Sequence, residues 1–372
     1  MFNKRNSSII FIFIVLITLV LWRTNGSQSS LKKLDSSKEV AVEKLLKNMK
    51  TQCIGRYLID IPASFTVNRT PSDFISNTWD ADISGDYEYN KIYIVTKRMY
   101  SPAFVQLIQR REKQLNETIT INPKNMPFKK NKFVLTDGLE GVIFERNENE
   151  STDDAIVILE AYLYNNGVAI KLQTQSINDS APRYEAERGS DLPRNNVPRD
   201  VEKIKSLLAR VSGRNESEKP TKPGNCIPDA FISENSIKNE KENISIILTS
   251  DEMKNINLTI SSDNFTRENN GVLDRVDEIA EVIKQSKGRI ERKDSFKRND
   301  LYAEELLAVG LQQSKDEPRY QFDLYINETT TSYKNPNLIL TLSNEGKPAP
   351  TYDKEDLIAF WDSITRTIRL RK

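Results

Sequence analysis

Two cysteines, Cys53 and Cys226, and a complete absence of histidine set the chemical limits of this 372-residue chain. Two thiols can form one disulfide, or serve separately as nucleophilic or redox centres. A reactive thiolate needs a neighbouring base or cation to lower its pKa, and the commonest base is missing. One disulfide is therefore the favoured reading, with two free buried thiols as the alternative. Lack of imidazole also removes the usual general base, the usual zinc or haem ligand and the usual switch near neutral pH. Carboxylates do stand in pairs, Asp80 with Asp82, Asp153 with Asp154, and Glu304 with Glu305. Glycoside hydrolysis by two carboxylates needs no histidine. With 53 acidic residues, however, such pairs arise freely and solvated surface is the favoured reading. There is no G-x-S-x-G elbow and no phosphate-cradling glycine loop. The sequence selects no catalytic residue, no cofactor and no metal ligand, and it reads as a binding protein before an enzyme.

What must position the two cysteines is a pattern that occurs twice. CIGRYLIDIPASF begins at Cys53 and CIPDAFISENS begins at Cys226. The first run contains YLIDIP, which alternates and is stopped by Pro62 as an edge strand would be. DYEYNKIYIVTKR alternates again. AFVQLIQRREKQL follows as a helix, with Ser101 as candidate N-cap and Pro102 in the first turn. GLEGVIFERNE, DDAIVILEAYLYN and GVAIKLQTQS follow as strands, and Asn165-Asn166-Gly167 marks a hairpin between the last two. DVEKIKSLLARVSG closes the half as an amphipathic helix ending at Gly213.

After the breaker-rich stretch Gly213 to Asn225, the order recurs. ENISIILTS and NINLTISSD read as strands, and VLDRVDEIAEVIKQSKG as a helix stopped at Gly288. LYAEELLAVGLQQ, RYQFDLYINE and NPNLILTLSN read as strands, and DLIAFWDSITRTIRLRK as the closing helix. The fold class is α+β, with two similar domains, each an antiparallel sheet carrying helices on one face. The boundaries are an N-terminal domain over 30–212, a linker over 213–225 and a C-terminal domain over 226–372.

The first residues are a targeting segment, assigned to 1–29. Lys4 and Arg5 precede an apolar run from Ile9 to Trp22. At about 14 residues this run is shorter than the ~20 that span a bilayer. It has the size of a secretory signal, and an uncleaved inner-membrane anchor is the alternative. Either form places the remainder outside the cytoplasm, where disulfides persist. Overall 54 basic residues face 53 acidic ones, so no general field draws nucleic acid. Two segments suit a protein partner. TWDADISGDYEYN offers Trp79, Tyr87 and Tyr89 as aromatic anchors, with a core tryptophan as the equal alternative. The Pro-punctuated connection from Pro182 to Asp200 offers Arg183 and Tyr184, since long loops are commonly functional or disordered.

CIGRYLIDIP, shortly after an export segment, resembles the start of the immunity proteins that neutralise type VI secretion lipase effectors. CIPDAFI, after a Pro/Gly-rich linker, resembles the start of that family's C-terminal domain. The resemblance implies two lobes arranged as a clamp on a cognate phospholipase, acting in the periplasm and blocking the lipase's interfacial activation. It implies no catalytic group and no transferable contact residues. The competing class is a periplasmic ligand-binding or envelope-assembly module that uses the cleft between the lobes. A hydrolase working without histidine ranks last.

Overall fold

The computed structural model describes residues 42–68, 81–84, 92–136, 138–234, 240–285, 287–311, 317–344, 348, 350 and 352–371, with the side chains of 81–84 left out. Residues 42–46 form a helical turn. The first half then runs β1 (Met49–Ile54), β2 (Tyr57–Pro62), β3 (Thr66–Val67), β4 (Ala81–Ser84), β5 (Ile92–Arg98), helix α1 (Ser101–Glu117), β6 (Lys129–Val134), β7 (Glu140–Asn147), β8 (Ile156–Asn165), β9 (Val168–Ile177), the turn α2 (Glu185–Arg188), helix α3 (Val197–Leu208) and β10 (Val211–Gly213). The second half runs β11 (Gly224–Ile227), β12 (Ala230–Ser233), β13 (Lys241–Thr249), β14 (Asn257–Asp263), helix α4 (Val276–Gln285), β15 (Arg289–Arg298), β16 (Leu301–Leu311), β17 (Pro318–Ile326), β18 (Asn337–Ser343), helix α5 (Lys354–Thr365) and β19 (Arg369–Leu370).

The strand order makes the repeat explicit. One half of the large sheet is ordered β4-β5-β9-β8-β7-β6, and the other is β13-β14-β18-β17-β16-β15. Each half therefore lays down two strands, a helix and four more strands in the same order. The halves meet where β4 pairs with β13, antiparallel, Ile83 opposite Glu242. Equivalent strands pairing antiparallel is what a pseudo-twofold axis through the sheet produces. Among the described residues this gives one continuous 13-stranded sheet, including β3 on β13.

Two small sheets follow the same symmetry and exchange a strand. The hairpin β1-β2 is completed by β19 from the far end of the chain, and the hairpin β11-β12 by β10. The closing strand of each half thus belongs to the other half's sheet. Pairing within the hairpins places Cys53 opposite Leu58 and Cys226 opposite Phe231, the same register twice.

Strands buried on both faces need covering layers on both, and β8 is buried over seven of its ten positions. One apolar cluster joins Leu159, Ala161 and Leu163 to α3, to Tyr57, Ile59 and Ile61 of the first hairpin, and to Phe360 and Trp361 of α5. The opposite face of the first half packs Phe144 and Tyr162 on Phe104 and Leu115 of α1. That of the second packs Leu306 on Val276 of α4. The α+β class with an antiparallel sheet in each half holds. The helices, expected on one face, divide between two: α3 and α5 on the inner face with the hairpins, α1 and α4 on the outer. The inner cluster runs through both halves without a break.

Several local expectations change. YLIDIP is the central strand of its small sheet, not an edge. Only Tyr57 and Leu58 meet β19, so Pro62 stands at the end where no donor is required on that side. Ser101 is already inside α1: its hydroxyl donates to Glu140, and the N-cap is Tyr100. The helix expected to run to Gly213 stops at Leu208 because β10 claims Val211–Gly213. It starts earlier than expected, at Val197, with Pro198 in the first turn, where a missing N–H costs nothing. The Asn166-Gly167 turn has both φ values positive, 49° and 77°, as a two-residue hairpin of type I′ requires.

Candidate interaction surface

At the pseudo-twofold axis Cys53 and Cys226 form a disulfide with Cα atoms 5.7 Å apart, spanning 173 residues of sequence. The amide of Gly55 donates to the carbonyl of Cys226, and the amide of Cys226 to that of Gly55, both at 2.8 Å. Gly55 adopts φ +59°, the left-handed conformation at its hairpin turn that glycine takes without strain. Two arginines at equivalent positions fasten the seam. Arg214 donates to the carbonyls of Cys53, Ile227 and Ala230 at 3.1–3.3 Å. Arg371 donates to those of Pro220, Lys222 and Gly224 and lies over the Phe231 ring. The breaker-rich linker is therefore held by guanidinium groups, with both of its ends in strands. Beside it, Arg56 pairs with Glu242 at 3.0 Å and stacks on Tyr333.

Each half also buries one carboxylate between two arginines. Glu160 accepts from Arg111 at 2.6–2.7 Å and from Arg146 at 2.7 Å. Burial alone would raise its pKa, but the two guanidiniums outweigh it and hold the carboxyl well below the usual range. Glu305 is gripped by Arg292 and Arg366 and receives the Trp361 indole N–H at 3.2 Å. Burial again opposes, and the two arginines again lower its pKa. These carboxylates are consumed by structure. Glu304 and Glu305 are neighbours on β16 and face opposite sides of the sheet, so they cannot act as a pair. Asp154 accepts from Lys130 at 2.7 Å and from Arg183 and Tyr184. The described residues hold no group of three metal-ligating side chains.

The partner-facing residues expected from sequence fall out unevenly. Trp79, Tyr87 and Tyr89 lie outside the described residues, as does Asp80. Tyr184 is buried with its hydroxyl on Asp154, and Arg183 holds the carbonyl of Lys124 at 2.5 Å while remaining part-exposed. Both stitch loops together. The connection from Pro182 to Asp200, expected to be irregular, contains a 3-10 turn, α2 and the start of α3.

Two other features offer surface. The outer face of the central strands carries no helix among the described residues: Ser245 and Ile247 of β13 are exposed, forming a floor between α1 and α4. Strand direction alternates throughout the sheet, so the β7–β8 connection, the segment after α1 and the segment after β9 share one edge. There Ile119, Ile121 and Leu192 are 74%, 76% and 82% exposed, with Met126 and Ile156 beside them. Apolar side chains this open on neighbouring loops make this end of the sheet a candidate surface for a partner. The sequence signal was available in TITINP, an apolar alternation just after a helix end, but without the neighbouring loops it reads as an ordinary connection.

Residues 50–214 match the Tle cognate immunity protein 4 N-terminal domain, and residues 218–372 match the Tle cognate immunity protein 4 C-terminal domain. No curated protein matches the sequence. Among solved structures, the crystal structure of the Tle4-Tli4 complex contains a chain 20% identical, with a TM-score of 0.65, over 88% of this chain and 98% of that one. The apo structure of the immunity protein TplEi of T6SS from Pseudomonas aeruginosa is likewise 20% identical, with a TM-score of 0.64 over 87% of this chain and 97% of that one. TplEi complexed with an "L" peptide gives 0.60 at 19% identity, over 88% of this chain and 99% of that one. At such identities the likeness speaks to the fold.

Proposed function

The chain belongs to the Tle cognate immunity protein 4 family, and from that premise we propose that it binds and inhibits a cognate lipase effector of type VI secretion. The observation that carries this reading is the match of both family domains, in order, to two halves that repeat one topology. Inhibition of this kind works by occupation. It needs complementary shape, apolar anchors and satisfied polar contacts, and no reacting group. The two halves, taken as domains over 30–212 and 226–372 with the linker 213–225 between them, act together as a clamp. The β13 floor and the Ile119–Ile121–Leu192 loops meet the lipase and block the movement that exposes its active site to lipid.

The place of action is the periplasm. The disulfide and the apolar run from Ile9 to Trp22 support it. No helix among the described residues is long and apolar enough to cross a membrane, and the apolar run lies outside them. Retention of that run as an inner-membrane anchor is the finer form of the proposal. Carbonate extraction of membranes tests it: a mature chain that stays with the pellet is anchored, one that is released is cleaved.

The function is tested by mixing the exported portion with the lipase encoded beside it and following phospholipid hydrolysis. Equimolar protein should abolish turnover, and full activity at molar excess rejects the reading. Substituting Ile119→Asp together with Ile121→Asp should weaken inhibition at least 10-fold, because anchors of this kind are worth 2 kcal/mol or more. Their exposure predicts an unchanged melting temperature.

A further inference from the structure

At the same sheet edge, on the outer face of the second half, lies a recess of about 140 Å³ lined by Gly271, Tyr302, Glu304, Tyr325, Glu328 and Thr330 among others. Its floor is acidic. Glu304 accepts from the Leu273 amide at 3.0 Å and from the Tyr302 hydroxyl at 3.2 Å. Glu328 is 9% exposed, and while one of its oxygens takes the Arg275 guanidinium, Oε2 is buried with no hydrogen-bond partner. A buried carboxylate oxygen left without a donor costs roughly 1–3 kcal/mol, more when charged. Burial, joined by the charges of Glu268 and Glu304, raises the pKa of Glu328 against the pull of Arg275.

Room is kept for something to enter. A Cβ on Gly271 would sit 2.6 Å from Glu304 Oε2, so a larger residue there would push the carboxylate out of place. Tyr302 is exposed and Tyr325 half-buried, giving aromatic walls. Two carboxylates, one with an oxygen that lacks a donor, and two tyrosines line the recess, a set of groups that suits an organic cation. Among the described residues no three carboxylate, cysteine or histidine side chains come together here to hold a metal.

We propose that the recess receives one lysine or arginine side chain projecting from the effector, so that the second half contributes a charged anchor in addition to the apolar loops of the first. This rests on the effector being the partner. The occupant has the size of a side-chain tip, since the volume equals only a few water molecules. Opposite charge also makes it an element of partner choice, because an effector lacking the cation would cover the recess and leave Glu328 Oε2 without a donor.

The test uses the whole exported chain and two probes. Thr330 is exposed at the mouth, so Thr330→Arg would fill the recess with the chain's own guanidinium and leave the carboxylates in place. Glu328→Gln removes the charge directly. By calorimetry, Thr330→Arg should weaken effector binding at least 10-fold and flatten its salt dependence, with an unchanged melting temperature. Glu328→Gln should weaken effector binding likewise, with a lower melting temperature because it also loses the Arg275 ion pair. Ethylguanidinium, added to the free chain, should bind in the millimolar range and shift the resonances of Tyr302, and it should not bind Thr330→Arg. Effector affinity unaltered in both variants overturns the proposal. If the unmodified chain fails to bind the effector, the immunity reading falls first; ethylguanidinium saturation of the recess then upholds its cation chemistry, and absence of binding removes that too.

Discussion

Replacing Cys53 and Cys226 together by alanine removes the covalent bond across the pseudo-twofold axis. The bond spans 173 residues, and the chain-entropy relation gives about 5 kcal/mol for a loop of that length, chiefly through the unfolded ensemble. Unfolding entropy of about 2.1 cal/mol/K per residue implies roughly 0.7 kcal/mol/K for a unit of this size. The melting temperature should therefore fall by about 7 °C. The native seam should survive, because the Gly55–Cys226 backbone bonds and the Arg214 contacts do not depend on sulfur. Scanning calorimetry of the double variant, beside the unmodified chain with and without dithiothreitol, separates the cross-link from packing: reduction alone should reproduce most of the shift. A double variant melting within about 2 °C of the parent would refute the argument, showing that the seam already restrains the chain in its unfolded form or that the bond does not form.

The buried charge of Glu160 should set the acid limb of stability. Its folded pKa lies below the unfolded value, so its contribution is complete above the unfolded value, near 4.3, and is lost progressively as pH falls from there through the folded pKa. Glu160→Gln should cost roughly 3–5 kcal/mol at pH 7, by leaving Arg111 and Arg146 uncompensated, and should flatten the decline below pH 4.5 in urea titrations. Arg214→Ala should cost about 3 kcal/mol, because buried carbonyls of both hairpins lose a charged donor; urea unfolding with an unchanged m-value checks it. A loss below 1 kcal/mol would mean that solvent replaces the guanidinium.

Much of this fold was readable because its central strands alternate clearly and recur in the same order. What escaped notice did so for physical reasons. β6 and β15, reading KKNKFV and RIERKDSFKR, lie at the two ends of the large sheet. Edge strands carry charge that discourages further pairing, and the same charge hides them from a search for alternation. β10 and β19 are too short to show a period, and their partners lie in the other half, which no local pattern reveals. Tyr184 looked like an anchor because it sits in a long Pro-punctuated connection, yet its side chain is buried and its hydroxyl donates to Asp154 of the β7–β8 connection. The acidic recess was half visible in the Glu304-Glu305 pair. The missing knowledge was that a strand turns consecutive residues to opposite sides, giving one to the core and the other to the recess.

Reciprocal lending of β10 and β19 makes the two halves mutually dependent for their completion. Neither half-gene, expressed alone, would supply every strand its own hairpin requires, whereas the two fragments expressed side by side could reconstitute the whole. The same arrangement suits an ancestor in which two copies of one short polypeptide embraced as a homodimer before a tandem fusion joined them. In the present protein the last few residues act as a latch on the first hairpin, so trimming the tail should be felt some three hundred positions upstream.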